Sequence, residues 1–127
     1  MFIALLRGIN VSGLKKIKMA ELRVMLEAMD LSNVQTYIQS GNIVFKSELS
    51  DPKALAIKIK SRIAETFGFD VKVIVLVAND FKHKVDSQPF SAEEALYTYF
   101  TFLSEIPNSI PEDKIAAAKH PAEKIHI

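Results

Sequence analysis

The stretch VQTYIQSGNIVFK, residues 34–46, decides the fold of this chain. It contains two runs rich in β-branched and aromatic residues, Val34–Gln39 and Ile43–Lys46, and such runs favour β-strands. The small-residue segment Ser40–Asn42 between them includes a Gly-Asn pair, which is typical of tight turns. The stretch therefore predicts two antiparallel strands joined as a hairpin.

Helical patterns flank this hairpin on both sides. Before it, apolar residues recur at helical spacing from Met19 to about Asp30, with charged residues on the other side. After it, the segment Ser50–Pro52 offers an N-cap followed by a proline in the first turn, and apolar residues then follow at four-residue steps up to Gly68. The spacing predicts two amphipathic helices, the second of which ends at the glycine.

Two further strands lie outside the helices. Phe2–Arg7 is a short apolar run followed by glycine, and Val71–Val77 (VKVIVLV) is the clearest strand pattern in the chain. The resulting order of strand, helix, strand, strand, helix, strand is the split βαβ pattern of ferredoxin-like folds. We therefore predict an α+β protein in which residues 1–77 form a ferredoxin-like βαββαβ unit.

The pattern of residues 78–127 predicts the first part of a second unit, which is similar to residues 1–77 and packed on them. The pattern indicates a helix at Asn79–Asp86, a polar linker at Asp86–Ala95 and a strand at Tyr97–Leu103. A helix at Pro111–Lys119 and the start of a strand at Lys124–Ile127 follow. No residue-level repeat supports the comparison with the first unit.

The composition of the chain limits the classes of protein to which it can belong. The 127 residues are 49% hydrophobic, which predicts a folded core, and the net charge of +1 gives no reason to expect a nucleic-acid partner. The third predicted strand also lacks the motif of RNA-binding sheets. The chain contains no cysteine and no apolar run near the length of a membrane span, so we expect a cytoplasmic protein without membrane contact. We expect no cofactor and no metal.

The basic stretch LLRGINVSGLKKIK, residues 5–18, carries four cationic side chains with no acidic residue before Glu21. In a ferredoxin-like sheet, the loop after the first strand lies at the same end as the hairpin. Glycine-freed backbone NH groups, a helix N-terminus and cations would meet there, which suits an anionic or phosphorylated ligand. We predict that it is bound by Arg7, Gly8, Asn10, Gly13, Lys16, Lys18, Tyr37, Gln39, Ser40 and Asn42.

Two alternatives stay open. The stretch lacks the endings and glycine spacing of known phosphate loops, so it can also be a solvated loop whose glycines serve backbone geometry. The protein can also be an interaction module, including a homo-oligomer, that uses its sheet edges or its incomplete second unit. No residue pattern identifies a catalytic acid, base or nucleophile, so no reaction is assigned.

The blocks LLRGINVSG, KIKMAEL and YIQSGNIVF closely resemble the signature blocks of a bacterial family known as domain of unknown function 1697. The resemblance implies a tandem of ferredoxin-like units and a longer chain, so this chain looks truncated. Ser12 stands where the family commonly has glycine. The resemblance implies no activity and therefore no catalytic residue.

Overall fold

The structure, a computed structural model, describes residues 1–127. Four strands and two helices follow one another in the predicted order, and three further helices come after them. In chain order the elements are β1 (Phe2–Arg7), α1 (Met19–Glu27), β2 (Ser32–Tyr37), β3 (Asn42–Lys46), α2 (Pro52–Phe67), β4 (Lys72–Val77), α3 (Ala78–Asp86), α4 (Ala92–Ala95) and α5 (Glu112–Ala118). The α+β prediction is confirmed.

The strands form one sheet in the order β2-β3-β1-β4, in which all neighbours are antiparallel. Because β3 lies between β1 and β2 and is antiparallel to both, β1 and β2 run in the same direction. The register places Leu5 opposite Asn42, at the start of β3. The end of β1 and the hairpin between β2 and β3 therefore lie at the same end of the sheet, as predicted.

The core occupies one face of the sheet. Alternate strand residues such as Ala4 and Phe45 are fully buried, together with Leu22 of α1 and Ile59 of α2. Each large apolar side chain buried in this way stabilises the fold by about 1.5–3 kcal/mol relative to exposure. The intervening strand residues lie on the opposite face, which we call the open face. The side chains of its central residues are only partly buried.

Helix α2 begins and ends where the local signals predict. The Asp51 carboxylate accepts a hydrogen bond from the Lys53 backbone NH at 3.0 Å, and Pro52 is the first helical residue. At the other end Gly68 adopts a φ of 76°, and its NH donates to the Ala64 carbonyl at 2.9 Å.

The predicted hairpin boundaries need correction. Strand β2 runs from Ser32 to Tyr37, so the loop consists of residues 38–41 and β3 already begins at Asn42. After Tyr37 the chain leaves the extended conformation, and Ile38 has a φ of 50°. Helix α1 also ends earlier than predicted, at Glu27, and Asp30 adopts a left-handed φ of 61°.

The chain divides into two compact units, Met1–Ser87 and Gln88–Ile127. Helix α3 belongs to the first unit because it contacts β4 and β1. In the second unit a reciprocal capping box between Ser91 and Glu94 begins α4, and α5 fits the predicted helix.

Two strand predictions in the second unit are wrong. Residues 97–103 and 124–127 form no strand. Their alternation suits a strand, but a lone strand leaves its backbone groups unpaired and is not stable. The predicted similarity of residues 78–127 to residues 1–77 stays a prediction.

No helix in the chain combines the length and the apolar character that crossing a membrane requires.

Candidate functional site

Asn10 connects the loop after β1 to the hairpin. Its side-chain Nδ2 donates to the carbonyl oxygens of Ile17 at 2.9 Å and Gln39 at 2.8 Å, while its Oδ1 accepts from the Ile17 NH at 2.9 Å. Its φ of 54° is a conformation that asparagine tolerates better than most residues. Both amide hydrogens are therefore used within the protein, where they connect the loop to the hairpin.

Gly41 allows the hairpin to approach β1 closely. The Leu6 NH donates to the Gly41 carbonyl at 3.0 Å. A Cβ atom at Gly41 would lie 2.7 Å from Leu6 Cβ and 2.8 Å from Ile9 Cδ1, and its φ is 83°. Only glycine fits this position without displacing its neighbours.

The tip of the loop is a tight turn from Val11 to Leu14. The Leu14 NH donates to the Val11 carbonyl at 2.9 Å, and the central residues Ser12 and Gly13 have φ values of 51° and 75°. Two positive φ values in succession are typical of a type I′ turn. Gly13 and Gly8, whose φ is 76°, thus serve backbone geometry, and Ser12 holds a conformation that glycine adopts more easily.

The lysines of the loop differ in their partners. Lys15 donates to the Asp70 carbonyl at 2.6 Å, which connects the loop to the segment before β4. Lys18 lies 3.8 Å from Glu21, and both side chains are mostly exposed, so this pair contributes little. Lys16 is exposed and has no ion-pair partner.

Arg7 and Lys72 form a pair of like charges on the sheet. The register of β1 and β4 places them directly opposite each other, and both are exposed. Neither has an acidic partner. Like charges opposite each other in a sheet are destabilising. Sequence analysis missed Lys72, although its place at the start of the VKVIVLV strand offered a signal.

The predicted residues of the hairpin lie at the same end of the sheet as this pair. Tyr37 and Asn42 are opposite each other in the register of β2 and β3 and share the open face with Arg7. Asn42 Nδ2 donates to Ser40 Oγ at 3.2 Å, while the Gln39 carbonyl accepts from Asn10. Lys18 instead precedes α1, in the helix layer on the other side of the sheet.

The charged side chains of this site, Arg7, Lys16 and Lys72, are all cationic. No group of three or more His, Asp or Glu residues in the chain could hold a metal ion. The strongest perturbation of a titratable group lies elsewhere. A hydrogen bond from Lys124, aided by the backbone and side chain of Ser91, lowers the pKa of Glu94 to about 2.

Comparison with known proteins places the chain among relatives. It is similar in structure to the conserved bacterial protein SP0830 from Streptococcus pneumoniae, with a TM-score of 0.64 and 30% sequence identity. The match covers 91% of this chain and 63% of that chain, so this chain spans less than two thirds of that protein's length. No curated protein matches the sequence. The family model described as protein of unknown function (DUF1697) matches residues 1–127. The chain therefore belongs to the DUF1697 family.

Proposed function

We propose that this protein binds a small anionic or phosphorylated ligand at the end of the sheet where the loop after β1 meets the hairpin. The observation that carries the proposal is the Arg7–Lys72 pair, which is exposed and lacks an acidic partner. Like charges directly opposite each other in a sheet are destabilising. An anion between them removes this repulsion and accepts charge-assisted hydrogen bonds from both side chains.

Further positive charge supports the same end of the sheet. Lys16 in the loop and Lys18 at the start of α1 add cations, and α1 has no side chain capping its first NH groups. The free NH groups carry the partial positive charge of the helix dipole. We expect these groups to attract an anion from solution, while Arg7 and Lys72 bind it.

The other predicted residues take two different roles in this proposal. Asn10, Gly8 and Gly13 set the shape of the loop. Tyr37, Gln39, Ser40 and Asn42 orient the rest of the ligand, and three of them are exposed. This division follows from the hydrogen bonds that Asn10 makes and from the backbone conformations of the two glycines.

The test is a calorimetric titration with inorganic phosphate, applied to wild type, Arg7→Ala and Lys72→Ala. We expect each variant to bind about tenfold more weakly, which corresponds to about 1.4 kcal/mol. Lys58→Ala is the matched control because Lys58 is exposed on α2, and it should bind as wild type does. Equal phosphate affinity in all four proteins contradicts the proposal.

A second candidate function is an interaction or oligomerisation module. In the unit Gln88–Ile127 several large apolar residues are exposed to solvent, among them Tyr99 at 93% and Ile106 at 95%. Clusters of exposed apolar residues often mark interaction sites. Light scattering after size-exclusion chromatography tests this function, since a monomer at high concentration removes its support.

We also propose a cytoplasmic location in a bacterium. The absence of cysteine from the chain and the bacterial source of the structural neighbour support it. Fractionation of cells that express a tagged chain tests this location, and recovery in the periplasmic or membrane fraction contradicts it.

A further inference from the structure

The open face next to the Arg7–Lys72 pair has an apolar centre. Side chains alternate along a strand, so Leu5 lies on the same face as Arg7, one step back along β1. The register places Ile74 on one side of Leu5 and Asn42 on the other, and Tyr37 follows opposite Asn42. One row of the sheet thus presents, from β4 to β2, the residues Ile74, Leu5, Asn42 and Tyr37.

The residues of this row are accessible from solvent to different degrees. Leu5, Ile74 and Asn42 are partly buried, whereas Tyr37 is 71% exposed. Asn42 uses Nδ2 to donate to the Ser40 hydroxyl, and no protein donor contacts its Oδ1. The row therefore combines an apolar shelf, a free amide oxygen and an accessible aromatic ring.

The dimensions of the sheet relate this row to the cation pair. Residues on the same face of a strand repeat about every 6.6 Å, and neighbouring strands lie about 4.8 Å apart. An anion between Arg7 and Lys72 thus lies about 6.6 Å from the apolar shelf formed by Leu5 and Ile74. A ribose separates the phosphate of a nucleotide from its base by a comparable length.

We infer that the ligand is a mononucleotide, an inference that rests on the proposed function. Its phosphate lies between Arg7 and Lys72, and its base lies flat on Leu5 and Ile74. Asn42 faces the edge of the base, because an amide can both donate and accept hydrogen bonds. Tyr37 follows Asn42 in the row, about 9.6 Å from Leu5 by the strand spacing, so its exposed ring contacts the edge of the base that extends past Asn42.

The charge of the protein favours a single nucleotide over a nucleic-acid strand. A strand needs cations along its path, and its binding is dominated by several phosphate contacts. Here the net charge is +1, and the open face has one pair of opposed cations, at one end of the β1–β4 ladder. That arrangement matches one phosphate group.

The test compares AMP, CMP, ribose 5-phosphate and inorganic phosphate in calorimetric titrations of the whole chain. We expect the nucleotides to bind at least about tenfold more tightly than ribose 5-phosphate, and Arg7→Ala to weaken all four ligands. Tyr37→Ala and Asn42→Ala should each weaken nucleotide binding and leave the affinity for ribose 5-phosphate unchanged. Tyr37→Phe should retain nucleotide binding because it keeps the ring.

The control for these variants is Tyr97→Ala, which removes a 79% exposed tyrosine from the other unit and should have no effect. Amide NMR spectra of each variant confirm its folding, and shifts at Leu5, Asn42 and Ile74 should accompany AMP binding. If ribose 5-phosphate binds as tightly as AMP, the mononucleotide inference is overturned and the proposed function stands. If no ligand binds, both are overturned. Affinity that rises with the length of an oligonucleotide overturns the inference in favour of a nucleic-acid partner.

Discussion

Replacing Gly41 by alanine tests whether the hairpin and the loop after β1 contact each other as closely as the structure indicates. The added Cβ would lie 2.7 Å from Leu6 Cβ and 2.8 Å from Ile9 Cδ1, whereas carbon atoms in favourable contact are about 3.5–4.0 Å apart. Leu6 and Ile9 are 7% and 2% exposed, so neither can move into solvent. We expect Gly41→Ala to destabilise the protein strongly.

The magnitude follows from two separate costs. The φ of 83° imposes a left-handed conformation on alanine, which costs about 1–2 kcal/mol. The steric overlap adds the cost of overpacking a core, about 1–3 kcal/mol. The free energy of unfolding should therefore fall by about 2–5 kcal/mol.

Gly68→Ala is the matched control for Gly41→Ala. Gly68 has a similar φ of 76°, but a Cβ there meets no atom within 4 Å. It should cost only the conformational part, about 1–2 kcal/mol. Urea unfolding followed by circular dichroism gives both values, and amide NMR spectra establish that each variant is folded. If the two variants lose the same free energy, the close approach of Gly41 to Leu6 and Ile9 is refuted.

Two further predictions concern single polar side chains. Asn10→Asp removes both donated hydrogen bonds and turns a carboxylate toward two carbonyl oxygens, so the free energy of unfolding should fall by about 2–4 kcal/mol at neutral pH. A change below about 0.5 kcal/mol in urea unfolding would mean that these hydrogen bonds do not stabilise the loop. An NMR titration of the Glu94 carboxyl group should give a pKa near 2 in the wild type, and this pKa should return toward 4.5 in Lys124→Met. An unchanged pKa in the variant contradicts the ion pair between Glu94 and Lys124. Because the pKa is lowered on folding, this pair stabilises the second unit above about pH 4.5, and that stabilisation is lost as the pH falls from there through about 2.

Elements with strong local signals could be predicted from the sequence. The N-cap Asp51, the following proline and the terminal Gly68 specify α2 through contacts within a few residues, so its boundaries were correct. The β-branched run of β4 was equally clear. The meeting of the loop and the hairpin was also predictable, because it follows from the order of the elements together with the usual right-handed crossover.

The division of roles within the candidate site could not be predicted in the same way. Asn10 and Gln39 are 29 residues apart, and only the folded chain shows that the Asn10 side chain donates a hydrogen bond to the Gln39 carbonyl. Lys72 joins the site because the β1–β4 register places it opposite Arg7. The register of that pairing, which decides which residue lies opposite Arg7, is seen only in the folded sheet.

The sequence by itself determined the kinds and order of the elements in the first unit, because helix and strand periodicity, caps and turn residues act over short distances. Only the tertiary structure decided which alternating segments become strands and which cations come together. Residues 97–103 alternate as β-strands do and yet form none, since a strand exists only where a second strand pairs with its backbone groups. The Arg7–Lys72 pair likewise exists only through the pairing of β1 with β4.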